Sequence, residues 1–419
     1  MTAIGAIIGL IIAIVLIIRK ISPFYSLITG AVLGGLLGGL PLVETVSVII
    51  DGVKDITPAI IRILAAGVLS GVLIVTGAAE SISNSIIRFL GEKQVYLALA
   101  LSAMLLCAVG VFIDIAIITV APIALLIGRN LSIHPSKLLL VMIGGGKCGN
   151  IISPNPNTII AAENFGGELY SVMYVNLVPA IIGLIFTVLL VTKIFPDKNK
   201  KTERTGMAQP VNPNLPSFAA SLAGPVVTII LLALRPIAGF SIDPLIALPV
   251  GGLVGLLCMR KGSLLKESLE YGLSKMSVIA VLLVGTGAVA GVIKNSNLKD
   301  FIVDGLAHIP FGEYLIAPFS GALMSAATAS TTAGATIASS SFGATIMALG
   351  VSAVWGAAMV NSGATVLDHL PHGSFFHATG GSMEVNFKER MKLIPYETLI
   401  GLILAVSTMG LYIIINRIF

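Results

Sequence analysis

Charged side chains are scarce in this sequence, and their scarcity excludes a soluble protein. Only 11% of the 419 residues are Asp, Glu, Lys or Arg, whereas roughly a quarter of the residues in a soluble domain are charged. The mean hydropathy is +1.01. The apolar runs are long and continuous, which distinguishes them from the alternating strands of a membrane β-barrel. The composition therefore predicts an all-α polytopic membrane protein.

Cysteine and clustered basic residues are also few. The three cysteines, Cys107, Cys148 and Cys258, lie in or beside apolar runs, and their spacing favours neither a disulfide framework nor a zinc site. The formal net charge of +5 is typical of Lys- and Arg-rich cytoplasmic loops. There is no basic stripe with interleaved aromatic residues, so nucleic acid is not an expected partner. No motif implies a cofactor.

The stretch Gly144–Gly166 is polar, although apolar segments flank it on both sides. Pro154 and Pro156 cannot donate backbone hydrogen bonds, and each disfavours helical geometry in the residue before it. A regular helix therefore cannot continue through Ser153–Asn157. At membrane depth, broken backbone is tolerated where it is buried in protein or lines a cavity. We predict an interrupted helix and a binding site here; the alternative is a polar loop without a ligand.

The apolar segment Gln94–Gly128 has an unusual length. It has about 35 residues, which is too short for two crossings that each need roughly 20 residues. Basic residues flank both of its ends, and this places both ends in the cytoplasm. We therefore predict a re-entrant helical hairpin with its tip near Val109–Asp114.

The second half of the chain repeats the order of elements in the first half. A polar linker, 196–216, separates residues 1–195 from residues 217–419. Glu313–Met347 is a second segment of hairpin length, and Asp368–His377 is a second polar break. Three glycines recur at a constant offset of 220, since Gly52, Gly67 and Gly71 correspond to Gly272, Gly287 and Gly291. Basic residues place the two copies in opposite orientations, which predicts inverted-topology repeats typical of secondary transporters.

Segments with mixed polarity precede one span in each half. Val43–Ile56 and Gly262–Lys275 combine charged and apolar residues, so we expect each to lie along the membrane interface. Separate spans, Pro58–Ala79 and Met276–Ile293, should follow them. Val172–Ile194 should form a full span.

Basic residues set the expected orientation. The first apolar run, Ala3–Ile18, has Arg19 and Lys20 after it, whereas a signal peptide has its charges before the run. We interpret this run as a retained helix. The turn that follows it should be cytoplasmic, which places the N-terminus, and by the topology also the C-terminus, outside.

Side chains in the two breaks and at the second hairpin tip are candidates for substrate binding. Helix N-termini attract anions, and amides and hydroxyls suit the groups of a hydroxylated acid. Hydroxyl residues in Ser325–Thr345 exceed what helix packing needs. A lysine beside the break could neutralise an anion or, alternatively, snorkel to the surface. The predicted substrate-binding residues are Ser153, Asn155, Asn157, Thr158, Ser330, Thr331, Thr332, Lys147, His372 and Ser374.

Ionisable residues within apolar segments are functional candidates, because a charge is costly there. Asp114 is the single carboxylate of the first hairpin, and helix capping is its structural alternative. We predict that Asp114, Asp368 and His369 bind the coupling ion, which is a proton or, alternatively, sodium. A metal site is disfavoured, because the histidine spacing defines no helical face and no cysteine joins it.

Three strings carry a resemblance to a known family: KCGNIISPNPNTIIAAENFG, AATASTTAGATIAS and DHLPHGSFFHATGG. With them, and over nearly its whole length, the chain resembles the gluconate permease (gluconate:proton symporter) family of the ion-transporter superfamily. The resemblance implies import of gluconate or a related sugar acid with protons, by an elevator-type movement. It also implies a homodimer in a bacterial-type cytoplasmic (inner) membrane. Some members carry other small hydroxylated acids such as D-serine.

Two other functions remain open from the residues. A sodium/proton antiporter or a sodium-coupled carboxylate carrier could use the same fold. An intramembrane enzyme would need a nucleophile with a base; Ser374 and His377 lie one helical turn apart, but no G-x-S-x-G motif occurs. We expect a transporter and not an enzyme.

Overall fold

The computed structural model describes residues 1–195, 214–234, 242–298, 312–371 and 373–418, and this part of the chain is helical without strands. Five of its helical segments are long and apolar enough to cross a membrane. The predicted all-α membrane architecture is therefore confirmed. Residues 196–213 of the predicted linker and His372 lie outside the described residues.

The helices of each half follow in the order that the sequence predicts. Those of the first half are α1 (Ala3–Ile18), α2 (Pro23–Leu37), α3 (Leu42–Val75), α4 (Ala78–Leu90), α5 (Val95–Ala108), α6 (Ile113–Asn130), α7 (Pro135–Asn150), α8 (Pro156–Phe165), α9 (Leu169–Val175) and α10 (Leu177–Leu189). Those of the second half are α11 (Phe218–Leu232), α12 (Pro244–Cys258), α13 (Leu265–Lys294), α14 (Gly312–Thr328), α15 (Thr331–Ala348), α16 (Ala353–Gly363), α17 (Ser374–Ser382), α18 (Phe387–Met391) and α19 (Ile394–Ile418).

The prediction that separate helices lie along the membrane interface before two of the spans is wrong. Val43–Ile56 is the first part of α3, a single helix of 34 residues that continues through Pro58. Gly262–Lys275 likewise runs into the span that follows it: Gly262–Leu264 is a 3₁₀ turn, and the rest belongs to the 30 residues of α13. At 1.5 Å per residue α3 is about 50 Å long, well above the roughly 30 Å of a hydrocarbon core. A charged helix end can therefore extend beyond the core without turning along the interface.

The predicted span Val172–Ile194 is present from Leu177 onward, since Leu177–Ile194 is long and apolar enough to cross a membrane, but the buried Asn176 separates it from α9. The side chain of Asn176 donates to the Ile151 carbonyl oxygen at 3.3 Å and accepts from Thr408 Oγ1 at 3.0 Å. These bonds tie the interruption to the first broken helix and to α19. Hydrophobicity alone does not reveal an interruption that depends on partners far away in the sequence.

Both predicted hairpins are present in the structure. α5 and α6 form the first one, and its tip contains Gly110 with φ of 101°, in the left-handed region that favours glycine. α14 and α15 form the second, with a tip at Ala329 and Ser330. Ser330 caps α15, since its side chain accepts from the Ala333 backbone N–H. Each hairpin tip thus presents a helix N-terminus.

The two predicted breaks are also present. α7 ends at Asn150, and α8 begins at Pro156. Asn155 caps α8, since its side chain accepts from the Thr158 backbone N–H at 3.2 Å. Pro156 suits the first helical position, because a backbone N–H there would have no partner within the helix. In the second half, α16 ends at Gly363 and α17 begins at Ser374.

Glycines let α3 and α13 cross with their backbones in contact. A Cβ on Gly52 would lie 2.2 Å from the Gly287 carbonyl oxygen, and a Cβ on Gly272 would lie 2.0 Å from the Gly67 carbonyl oxygen. Small residues allow such close approach. The two contacts are equivalent under the offset of 220: Gly52 corresponds to Gly272, and Gly67, the partner of Gly272, corresponds to Gly287, the partner of Gly52. The glycines matched in the sequence therefore meet at the centre of the fold.

Candidate functional site

A cavity of about 850 Å³ lies where the hairpin tips meet the breaks. Its volume falls within the roughly 300–1,000 Å³ of small-molecule sites. Both hairpin tips, the end of α7, the second break and the middle of α13 contribute to its wall. The predicted site residues that line it are Asp114, Ser330, Thr331, Thr332, Asp368 and Ser374.

Lys147, on α7, is completely buried, so its predicted alternative of snorkelling to the surface is wrong. Its Nζ donates to Asp368 Oδ1 at 2.6 Å and to the Thr365 carbonyl oxygen, and it lies 3.0 Å from His369 Nδ1. An ammonium has three donors, and each one here has an acceptor. The pair of Lys147 and Asp368 joins the first broken helix to the second.

His369 is buried beside this pair, and polar contacts engage both of its ring nitrogens. Its Nε2 lies 3.1 Å from the Ile394 carbonyl oxygen and 3.1 Å from Thr398 Oγ1. Because a carbonyl oxygen can only accept, we assign the ring proton to Nε2. Nδ1 then accepts from Lys147 and is the basic atom of the ring, 3.1 Å from Asp368 Oδ1.

Asp368 belongs both to the buried pair and to the cavity wall. Its Oδ2 accepts from Thr331 Oγ1 at 2.6 Å, and Thr331 begins α15 at the second hairpin tip. The side chain of Asp368 is only 3% exposed. A change of charge at this pair will therefore act on any molecule in the cavity across a medium of low polarity.

A second buried ion pair adjoins His369. Glu397, on α19, pairs with Arg390, on α18, and Glu397 Oε2 lies 4.0 Å from His369 Nδ1. We call Lys147, Asp368, His369, Arg390 and Glu397 the ion network. Two cations, two anions and a neutral imidazole give the network a net charge of zero.

The asparagines of the first break belong to one hydrogen-bonded network, of which Asn150, at the end of α7, lines the cavity. Asn157 Nδ2 donates to Asn361 Oδ1 at 2.7 Å, and Asn361 Nδ2 donates to Thr158 Oγ1 at 3.1 Å. Thr158 Oγ1 donates to Asn155 Oδ1 at 3.1 Å, and Asn155 Nδ2 donates to Asn150. This buried network holds α8 against α16. Contact of Asn155, Asn157 and Thr158 with a substrate stays a prediction.

Replacing Asn361 with alanine should destabilise the protein by about 1–3 kcal/mol, because it leaves Asn157 and Thr158 buried without these partners. The melting temperature of the purified protein in detergent measures the loss. Asn295→Ala is the matched control, since Asn295 is exposed and bonds a carbonyl of the adjoining helix. Equal melting temperatures for the two variants would contradict a structural role for the amide network.

The other predicted residues occupy varied positions. Ser153 is buried, and its Oγ has no hydrogen-bond partner among the described residues. Asp114 lies in the first turn of α6, where its Oδ1 accepts from the Ile115 backbone N–H at 2.9 Å. That placement suits both the cavity and the stabilisation of a helix N-terminus.

His377, the candidate base of the enzymatic alternative, contacts the second break and Phe387. His377 Nε2 lies 2.8 Å from the Pro371 carbonyl oxygen, and the ring stacks on Phe387. In the ranges that the structure describes, no three His, Cys, Asp or Glu side chains could hold a metal ion.

Three lining residues of α13 were missed by the sequence reasoning: Ser274, Lys275 and Ser277. Lys275 adds a positive charge to the wall, and its Nζ lies 5.5 Å from the centre of the Tyr271 ring. Their signal was three polar residues within four positions. It was overlooked because this segment was assigned to the membrane interface.

A second, smaller cavity of about 220 Å³ lies around Arg62 on α3. The guanidinium binds Asp243 through Nε at 3.0 Å and Nη2 at 2.6 Å, and it also pairs with Glu163 at the end of α8. One arginine thus connects α3, the start of α12 and the first broken helix.

Comparisons with known proteins agree with this architecture. A model described as GntP family permease matches residues 1–418. An uncharacterized transporter of Haemophilus influenzae is 52% identical over 365 residues, 87% of either chain. A gluconate permease of Bacillus subtilis is 23% identical over 90% of either chain. The crystal structure of the YdaH transporter of Alcanivorax borkumensis has a similar fold, with a TM-score of 0.63, 15% identity and 88% of each chain covered.

Proposed function

The chain belongs to the GntP family of permeases, and from that premise we propose that it imports gluconate or a related small hydroxylated acid together with protons. The observation that carries the proposal is the position of the neutral ion network. It meets the cavity at Asp368, where the hairpin tips and the breaks come together. We place the protein in a bacterial-type cytoplasmic membrane.

Charge balance in the ion network supports coupling between a proton and an anion. With a single ring proton assigned to Nε2 of His369, the network sums to zero, so one added proton gives it a net charge of +1. An uncompensated charge is costly in a buried site. An anion in the adjacent cavity offsets that cost, and the proton in turn strengthens the binding of the anion. Proton and anion therefore favour each other's binding, as linkage between two sites requires.

Lys275 and the second hairpin tip are the proposed contacts of the substrate. Lys275 supplies an ammonium for the carboxylate, and the N-terminus of α15 offers backbone donors and the hydroxyls of Ser330, Thr331 and Thr332. Asp114 faces the same cavity and suits the hydroxyl groups of a sugar acid as an acceptor. A polyhydroxylated anion uses all of these groups at once.

We also propose that the chain consists of two inverted repeats whose hairpins and breaks move together against α3 and α13. The exchange of the glycine contacts at an offset of 220 supports this symmetry. The long crossing of α3 with α13 suits a fixed scaffold. The link from Arg62 to Glu163 would then hold the moving part in the position observed.

Uptake of labelled gluconate and related sugar acids into proteoliposomes tests the proposal. We expect an inward proton gradient to drive uptake, whereas a sodium gradient at uniform pH should not. Lys275→Met should raise the KM for uptake about tenfold or more, because a hydrogen bond to a charged group contributes roughly 1.5–3 kcal/mol.

Lys266→Met is the control for Lys275→Met. Lys266 lies two turns and a half earlier on the same helix and faces Glu270, 3.8 Å away, at the exposed surface. Its KM should equal that of the wild type. Uptake driven by sodium alone, or equal effects of the two lysine variants, would overturn the proposal.

A further inference from the structure

Glu397 lies outside the cavity. Among the described residues, its carboxylate is the second-nearest negative charge to His369, after that of Asp368. Oε2 is 4.0 Å from His369 Nδ1, and both side chains are completely buried. No described cavity-lining residue is on α18 or α19, the helices that carry Arg390 and Glu397. The pair is therefore separate from the proposed substrate contacts.

We propose that Glu397, held in place by Arg390, balances the coupling proton when that proton resides on His369. The inference rests on the proposed proton-coupled transport. Glu397 is a positioning residue, because it acts through His369 and does not touch the substrate. It sets the pH at which the ion network changes from neutral to +1.

The groups around His369 define how the proton is held. Lys147 and Asp368 face its Nδ1 from α7 and from the second break, and Glu397 faces it from α19. The Ile394 carbonyl oxygen and Thr398 occupy Nε2. When Nδ1 takes the proton, it stops accepting from Lys147 and donates to Asp368 Oδ1, while Glu397 Oε2, 4.0 Å away, attracts the positive charge of the ring.

Arg390 fixes the position of Glu397 from the opposite side. It donates through Nη1 to Oε1 and through Nη2 to Oε2 at 3.2 Å, and its guanidinium carbon lies 4.8 Å from the centre of the Phe376 ring. Nη2 also lies 3.4 Å from Thr379 Oγ1. A two-pronged arginine holds a carboxylate in one orientation. The carboxylate therefore cannot turn away when the charge of His369 changes.

The pH dependence of gluconate binding tests this role, with a panel of related sugar acids beside it. In the wild type, the Kd should fall as the pH falls, because the proton makes the network positive. Glu397→Gln makes the network positive without that proton. At high pH the variant should therefore bind more tightly than the wild type, and the midpoint of its remaining pH-dependent change should lie at least about one unit lower, because the negative charge that stabilises protonated His369 is gone.

A double variant separates charge from structure. Glu397→Gln combined with Arg390→Met restores a net charge of zero, so the midpoint of its pH profile should return to that of the wild type. A merely structural role predicts that the midpoint of the double variant does not return to that of the wild type. Glu397→Asp, which keeps the charge, should also keep the wild-type midpoint.

The outcomes distinguish this inference from the function on which it rests. A wild type that binds no acid of the panel overturns both. Wild-type binding that tightens at low pH, with the same midpoint in Glu397→Gln, overturns the inference alone. If Glu397→Gln does not fold, the double variant decides: a midpoint shifted by more than about one unit contradicts the charge balance.

Discussion

Replacing Lys147 with methionine should abolish transport and lower the stability of the protein by about 3–5 kcal/mol, the cost of removing one partner from a buried ion pair. Methionine has nearly the length of the lysine stem, so packing around the side chain is kept. Asp368, His369 and the Thr365 carbonyl oxygen each lose their bond to Nζ. The network is left with a net charge of −1 beside the cavity, which repels an anion.

Two comparisons separate the charge effect from general damage. Lys54→Met is the control, because Lys54 is 71% exposed and pairs with Asp51 on the surface; surface pairs contribute about 0–1 kcal/mol. The double variant Lys147→Met with Asp368→Asn removes both charges and should recover most of the stability, although transport stays impaired. Melting temperature and gluconate uptake of the same preparations measure both effects. A Lys147→Met protein that transports normally would remove the ion network from the mechanism.

Replacing Gly272 with alanine should destabilise the protein by about 3 kcal/mol, at the upper end of the range for overpacked sites. The added Cβ would lie 2.0 Å from the carbonyl oxygen of Gly67 and 2.5 Å from its carbonyl carbon. Both are backbone atoms, so no rotamer change relieves the clash, and α3 and α13 must separate. Gly52→Ala should cost a similar amount, since its contact with Gly287 is the counterpart at the offset of 220.

Gly410→Ala is the matched control for these glycine variants. A Cβ on Gly410 would have no atom within 4 Å, and alanine favours a helix interior by roughly 0.5–1 kcal/mol over glycine. This variant should therefore melt at or above the wild-type temperature. If the Gly272→Ala and Gly410→Ala variants have the same melting temperature, the α3–α13 crossing does not stabilise the fold.

Local chemistry explains which elements could be predicted from the sequence. Pro154 and Pro156 lie two residues apart among polar residues and predict a break, whereas the single Pro58 lies inside α3. The first break therefore follows from the local sequence. The hairpins follow from apolar segments that are too short for two crossings, together with tip residues such as Gly110 and Ser330. These features depend on neighbours in the chain.

The features that sequence reasoning missed depend on distant partners. Asn176 interrupts a helix because Thr408, far along the chain, supports it. Lys147 stays buried because Asp368, 221 residues away, provides an acceptor. The polarity of Lys275 was attributed to water at the interface, although this residue faces a cavity. A single sequence indicates that burying such a polar or charged group would cost free energy. The partner that offsets this cost can be identified only from the three-dimensional structure.

Simultaneous measurement of anion and proton flux tests the central claim most directly. Proteoliposomes enclosing a pH-sensitive dye receive labelled gluconate at equal internal and external pH, with no sodium present. The wild type should acidify the lumen as gluconate enters, and Lys147→Met should produce neither signal. Gluconate entry without acidification of the lumen would contradict coupling through the ion network.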